Sequence, residues 1–154
     1  MTFGLKRFQT DGHNHAINFS CYNHDPYLAS TTARNLFEHS LEKVRQKYEL
    51  NVYGYVVMPD HVHLLISEPA VHPLSKAIQA LKVSVSKQAT EKPFWQERYY
   101  DFNIITRPKL TEKLTYIHRN PIRAGLVESP EDWPHSSYRP WLTGEQGIVH
   151  IALP

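Results

Sequence analysis

Two short stretches combine residue types that could do chemistry. In His61-Val62-His63 the imidazoles are two positions apart. On a β-strand such residues project to one face, so both rings would converge while Val62 points the other way. Two converging imidazoles on a rigid strand can hold a divalent metal. In Tyr116-Ile117-His118-Arg119-Asn120-Pro121, a phenol and an amide stand four apart. That is about 40° around an α-helix, so the two share a face. The phenol oxygen is a potential nucleophile, and the amide oxygen is a hard ligand suited to Mg2+ or Mn2+.

Each stretch alone also has an ordinary reading. The histidines could be sheet or core residues, and Tyr116 could pack inside while Asn120 ends a helix before Pro121. His13-Asn14-His15 repeats the histidine spacing and is assigned to that ordinary class. A structural zinc site usually draws on cysteines, and the chain has one, Cys21. Asp60 could orient a histidine or simply form the Pro59-Asp60 turn. His118 falls on another helix face than Tyr116, where a structural or ligand-facing role is expected.

The elements that must position these residues follow from periodicity. His15 to Tyr22 alternates apolar and polar residues and reads as a strand. Ser30 and Thr31 can cap a helix to about Tyr48, with Ala33, Leu36, Phe37, Leu41, Val44 and Tyr48 as its apolar face. Leu50 to Met58, the Pro59-Asp60 turn and His61 to Ser67 read as an antiparallel hairpin. Leu74 to about Thr90 is helical, with Leu74, Ala77, Ile78, Leu81 and Val85 in one stripe. Pro93 to Ile105 should contain a further strand. Thr111 is expected to cap a helix to about Arg119, limited by Pro121. Pro130 to Trp141 is a short tail element. The order β-α-β-β-α-β followed by helix predicts an α+β, ferredoxin-like fold: a four-stranded antiparallel sheet, two packing helices and a C-terminal helix bearing Tyr116. That fold serves many functions, so function must come from the site.

The 154 residues suit one domain, 1–154, with a core over about 15–140. A lone cysteine fits a reducing cytoplasm, and no stretch is apolar enough to span a membrane, so a soluble cytoplasmic protein is expected. The net charge of +2 says little, but its distribution says more. Leu74 to Val127 holds ten Lys/Arg against four Asp/Glu, and the remainder seven against eleven. Positive charge is thus gathered in one segment, as either a phosphate-binding surface or a solvated helix face would have it.

Four segments together resemble a known family. Tyr53–Ser67 (YGYVVMPDHVHLLIS), Phe94–Ile104 (FWQERYYDFNI), Tyr116–Val127 (YIHRNPIRAGLV) and Asp132–Arg139 (DWPHSSYR) are similar to the HUH single-tyrosine transposases, most closely the REP-associated branch. The resemblance implies His61, His63 and Asn120 as ligands of Mg2+ or Mn2+, Asn120 standing where other branches often have glutamine. It implies Tyr116 as the nucleophile that cleaves single-stranded or hairpin DNA through a 5′-phosphotyrosine intermediate. Phosphate contacts are expected from Lys82, Lys87, Arg98, Arg107, Lys109, Arg119 and Arg123. Lys6 and Arg7 of the N-terminal arm would read sequence beside a hairpin. Tyr99 or Tyr100 could stack on unpaired bases, with Trp95 and the other tyrosine in the core. The protein would act as a monomer or homodimer. A cleavage-deficient hairpin-binding protein, a relaxase and an RNA-binding module remain as alternatives.

Overall fold

The structure, a computed structural model, describes residues 14–154. Lys6, Arg7 and His13 lie outside the described residues. Four strands form one antiparallel sheet in the order β2-β3-β1-β4: β1 (Asn14–Ser20), β2 (Val52–Val57), β3 (His61–Ser67) and β4 (Tyr100–Ile104). This is the expected ferredoxin-like order, with β1 and β3 in the centre. Helix α1 (Thr31–Tyr48) follows β1, and helix α2 (Leu74–Gln88) follows β3.

Strand periodicity sorts the side chains onto two faces. Ile17 and Phe19 of β1 and Val62, Leu64 and Ile66 of β3 pack under α1 and α2, which present Phe37, Leu41 and Val44, and Ala77, Ile78, Leu81 and Val85. Alternation then directs His61, His63 and Leu65 to the opposite face. There a third helix, α3 (Arg107–Arg123), lays down Leu110, Leu114 and Ile117 against Val56, Met58, Leu65 and Ile104. The i, i+4, i+7 spacing of these three residues gives a narrow apolar stripe. Gly54 permits the close approach, because a Cβ built there would sit 2.5 Å from Leu114 Cδ1.

Helix α1 begins as expected, with the Ala33 amide donating to Ser30 Oγ. Helix α3 does not. Its cap is Thr106, five residues before the expected Thr111, because Thr106 accepts from the Lys109 amide and Pro108 suits the first turn. It also continues through Pro121 to Arg123. Pro121 lies near the helix end and is buried in the interface, so packing outweighs one missing amide bond.

The tail after α3 seals the β2 edge. The Val57 amide donates to His135 O, the Ser137 amide donates to Tyr55 O, and Trp133 Nε1 donates to Val57 O. A last short helix, α4 (Tyr138–Thr143), follows. The strand expected within Pro93 to Ile105 is Tyr100–Ile104, at the end of that stretch. Trp95 enters the α1/α2 core instead and donates to the Lys82 carbonyl. On the same face His15 bridges the carboxylates of Asp101 and Glu68, tying β1 to β4 and to the loop after β3.

Candidate active site

Helix α3 carries two stripes. Beside the buried one runs Lys113, Tyr116, Asn120 and Arg123, spaced i, i+3, i+7, i+10, along the helix rim that overhangs His63. The rings of His61 and His63 stand 5.0 Å apart, nearly perpendicular, and the Tyr116 ring lies 5.7 Å from that of His63. Asn120 is buried, and its amide nitrogen comes 3.5 Å from His63 Nε2. The residues singled out by spacing on two separate elements thus meet in one place, within one chain. Tyr116 is 47% exposed, so it is not sealed in the core.

The electrostatics suit an anion and a metal. Burial lowers the His63 pKa to about 4, aided by His61, Lys113 and Arg123. The ring is therefore neutral near pH 7 and keeps a lone pair. His61 Nδ1 donates to Asp60 Oδ1 at 2.7 Å. A carboxylate only accepts, so Nδ1 carries the proton and Nε2 is left to bind. The Asn120 amide exchanges its oxygen and nitrogen by a half turn about χ2, so the group meeting His63 can present either. Two imidazole nitrogens and an amide oxygen are donors that could hold a divalent metal, with positions left for substrate oxygens. Among the described residues no cluster of three His, Cys, Asp or Glu could hold a metal. The third donor here is an amide, outside that class.

Arg123 holds the nucleophile candidate in two ways. Its guanidinium lies 4.1 Å over the Tyr116 ring and donates to the Tyr116 carbonyl at 2.8 Å. A cavity of about 200 Å3 opens beside the phenol, lined by His63, Asn18, Phe102, Lys113 and Tyr116 among others. Lys113 and Phe102 were not singled out by the sequence. Lys113 was legible, being three residues before Tyr116 on the same helix rim.

The other expected phosphate contacts are scattered. Arg119 is exposed on α3, one position before Asn120, and Lys109 is exposed near Glu112 in the first turn. Arg107 donates to the Pro154 carbonyl, Arg98 lines a separate cavity, and Lys87 lies near the end of α2. Lys82 takes an internal role instead. Its ammonium donates to the Gln96 and Glu97 carbonyls on the far face of the sheet, over Phe19. His118 is structural: it is buried on the opposite rim of α3, with Nε2 2.8 Å from Ser137 Oγ and its ring against Tyr138 and Trp141.

A ferredoxin-like sheet with paired histidines under a tyrosine-bearing helix defines the class of single-tyrosine, HUH-type proteins. The chain belongs to the IS200-like transposase family, described as "Transposase IS200 like", whose pattern matches residues 9–120. It is 26% identical over 109 residues to the REP-associated tyrosine transposase of Escherichia coli (strain K12), an alignment spanning 70% of this chain and 66% of that one. A Haemophilus influenzae protein that provisionally carries the same designation is 28% identical over 119 residues, spanning 68% of each. The fold matches a solved REP-associated tyrosine transposase bound to a REP hairpin, with a TM-score of 0.77 and 23% identity, over 92% of this chain and 87% of that one. No helix among the described residues is long and apolar enough to cross a membrane.

Proposed function

We propose that this protein cleaves and rejoins single-stranded DNA beside a hairpin, using Tyr116 as the nucleophile. One observation carries the reading: a half-exposed phenol stands 5.7 Å from His63, on the helix that also brings Asn120 to the same imidazole. The phenol oxygen attacks a backbone phosphorus. A P–O bond to Tyr116 forms, the bond to the departing 3′-oxygen breaks, the phenolic proton passes to water, and the 3′-oxygen takes a proton from water in turn. The product is a 5′-phosphotyrosine and a free 3′-hydroxyl. A second 3′-hydroxyl can then attack the same phosphorus and release the phenol, so the strand is rejoined without another energy source.

A phenol ionises only near pH 10, so the attack needs help. A Mg2+ or Mn2+ ion held by His61, His63 and Asn120 would polarise the scissile phosphate and offset charge in the transition state. Arg123 keeps the ring in place and favours the developing phenolate from 4.1 Å. Lys113 adds positive charge beside His63, where a phosphate would lie. Hairpin DNA as the substrate rests on the solved relative, which is bound to a REP hairpin.

The test is adduct formation on a hairpin-tailed single strand. Wild type with Mn2+ should give a protein–DNA species that survives denaturing electrophoresis. Tyr116→Phe should give none while still shifting the DNA in a native gel. An adduct formed by Tyr116→Phe would refute the assignment.

A further inference from the structure

Two aromatic residues of β4 stand largely outside the hydrophobic core. Tyr100 is 67% exposed and Phe102 is 55% exposed, although both sit on a strand. Register places them on the face that carries the active site. Tyr100 pairs with Asn18, which pairs in turn with His63. One row thus runs His63, Asn18, Tyr100 across three strands, with Phe102 two residues further along β4 opposite Ala16. Phe102 and Tyr116 line the same cavity, and Lys113 Nζ stands 5.0 Å over the Phe102 ring. Two residues along a strand is about 6.8 Å, comparable to the step between bases of a stretched single strand.

We infer that Phe102 and Tyr100 form a two-base stacking platform for the unpaired DNA strand entering the Tyr116 site. Lys113, between Phe102 and His63, holds the phosphate where the strand passes from the platform to the phenol, and Asn18 faces the edge of a stacked base. Three features favour this occupant. Flat aromatic rings on an open sheet edge suit bases, which stack without sequence preference. Lys113 over Phe102 and Arg123 over Tyr116 suit the phosphates that run from the platform to the phenol. The row is continuous with the phenol and His63. The inference takes its substrate class from the proposed function, but it concerns binding and is tested without cleavage.

The probe is fluorescein-labelled dT12, compared with a twelve-residue abasic strand carrying the same phosphates and with rU12. Anisotropy is read in EDTA, so neither metal nor covalent chemistry contributes. Wild type should bind dT12 more tightly than the abasic strand. Tyr100→Ala and Phe102→Ala should each weaken dT12 binding roughly tenfold and leave abasic binding unchanged. Lys113→Ala should weaken both strands alike. Both aromatic rings are exposed, so the variants should melt within about 2 °C of wild type. Equal binding of dT12 and abasic strands by wild type, unchanged dT12 binding in either aromatic variant, or tighter binding of rU12 than dT12 would overturn the platform. A wild type that stacks dT12 yet forms no adduct would leave the platform standing and remove the cleavage reading.

Discussion

Asp60→Ala isolates how the histidine pair is oriented. Asp60 touches none of the proposed substrate atoms; its carboxylate meets His61 Nδ1 at 2.7 Å. Losing it frees the ring to rotate and to carry its proton on either nitrogen. Carboxylate partners of ligating histidines contribute about 10- to 100-fold in metal affinity. The His61 and Asp60 side chains are 27% and 37% exposed, so water screens the pair and the lower end applies. Mn2+ affinity should therefore fall about tenfold, near 1.4 kcal/mol. Asp60→Asn keeps an acceptor but loses the charge. A charge-assisted bond is about twice as strong as a neutral one, so Asn should lose about half that free energy, roughly threefold in affinity. Free Mn2+, followed by electron paramagnetic resonance during titration, reports both values directly. Equal affinity in wild type and Asp60→Ala would refute the orienting role. No Mn2+ binding by wild type would instead refute the metal site itself.

Two further outcomes follow from packing and titration. Gly54→Ala places a Cβ against Leu114 in the α3 interface and should destabilise the protein by about 1–3 kcal/mol in urea unfolding; combining it with Leu114→Val should recover part of that loss, and additive losses would show that the clash is not with Leu114. Burial holds His118 and His135 at about pKa 4, with Arg34 adding to the effect on His135, against 6.5 for the free side chain. The unfolded chain therefore binds more protons between those values, and stability should be full above pH 6.5 and fall as the pH drops toward 4. Glu38 works in the opposite sense: burial raises its carboxyl to about 7, so ionisation removes stability as pH rises from 4.5 to 7. Urea midpoints from pH 4 to 8 should rise to about 6.5 and then level or dip, and Glu38→Gln should abolish the dip; a midpoint that falls steadily from pH 4 to 6.5 would reverse the assignment.

The parts of the fold with strong periodicity were legible in the sequence. Leu74, Ala77, Ile78, Leu81 and Val85 are all buried on α2, and the His61–Ser67 strand has its expected bounds. Both features rest on burial, which local pattern reports well. The start of α3 was not legible, because Thr106 and Thr111 are both acceptable caps and only packing of Leu110 on the sheet chooses between them. Nor was its passage through Pro121, where tertiary burial overrides a local rule. The meeting of His63 with Asn120 depends on α3 crossing the face opposite α1 and α2, which periodicity alone does not fix. The fate of Lys82 was equally hidden, since its partners are two backbone carbonyls fourteen and fifteen residues away.

The two rims of α3 explain why a small protein can leave this site open. The apolar stripe of Leu110, Leu114 and Ile117 anchors the helix to the sheet. On one rim the buried bond from His118 to Ser137 joins α3 to the tail, and Ser137 is itself tied to Tyr55 of β2. The stripe and this bond fix α3 on the sheet, and of the other rim Asn120 packs inward against His63. Lys113, Tyr116 and Arg123 are free to face solvent there, and Tyr116 and Phe102 keep an exposure that a purely structural design would remove. Replacing His118 should therefore disturb the placement of Tyr116 over His63 from the far side of the helix, whereas replacing Tyr116 should leave the fold intact. That asymmetry is the physical sense in which one rim holds the scaffold and the other carries the proposed nucleophile.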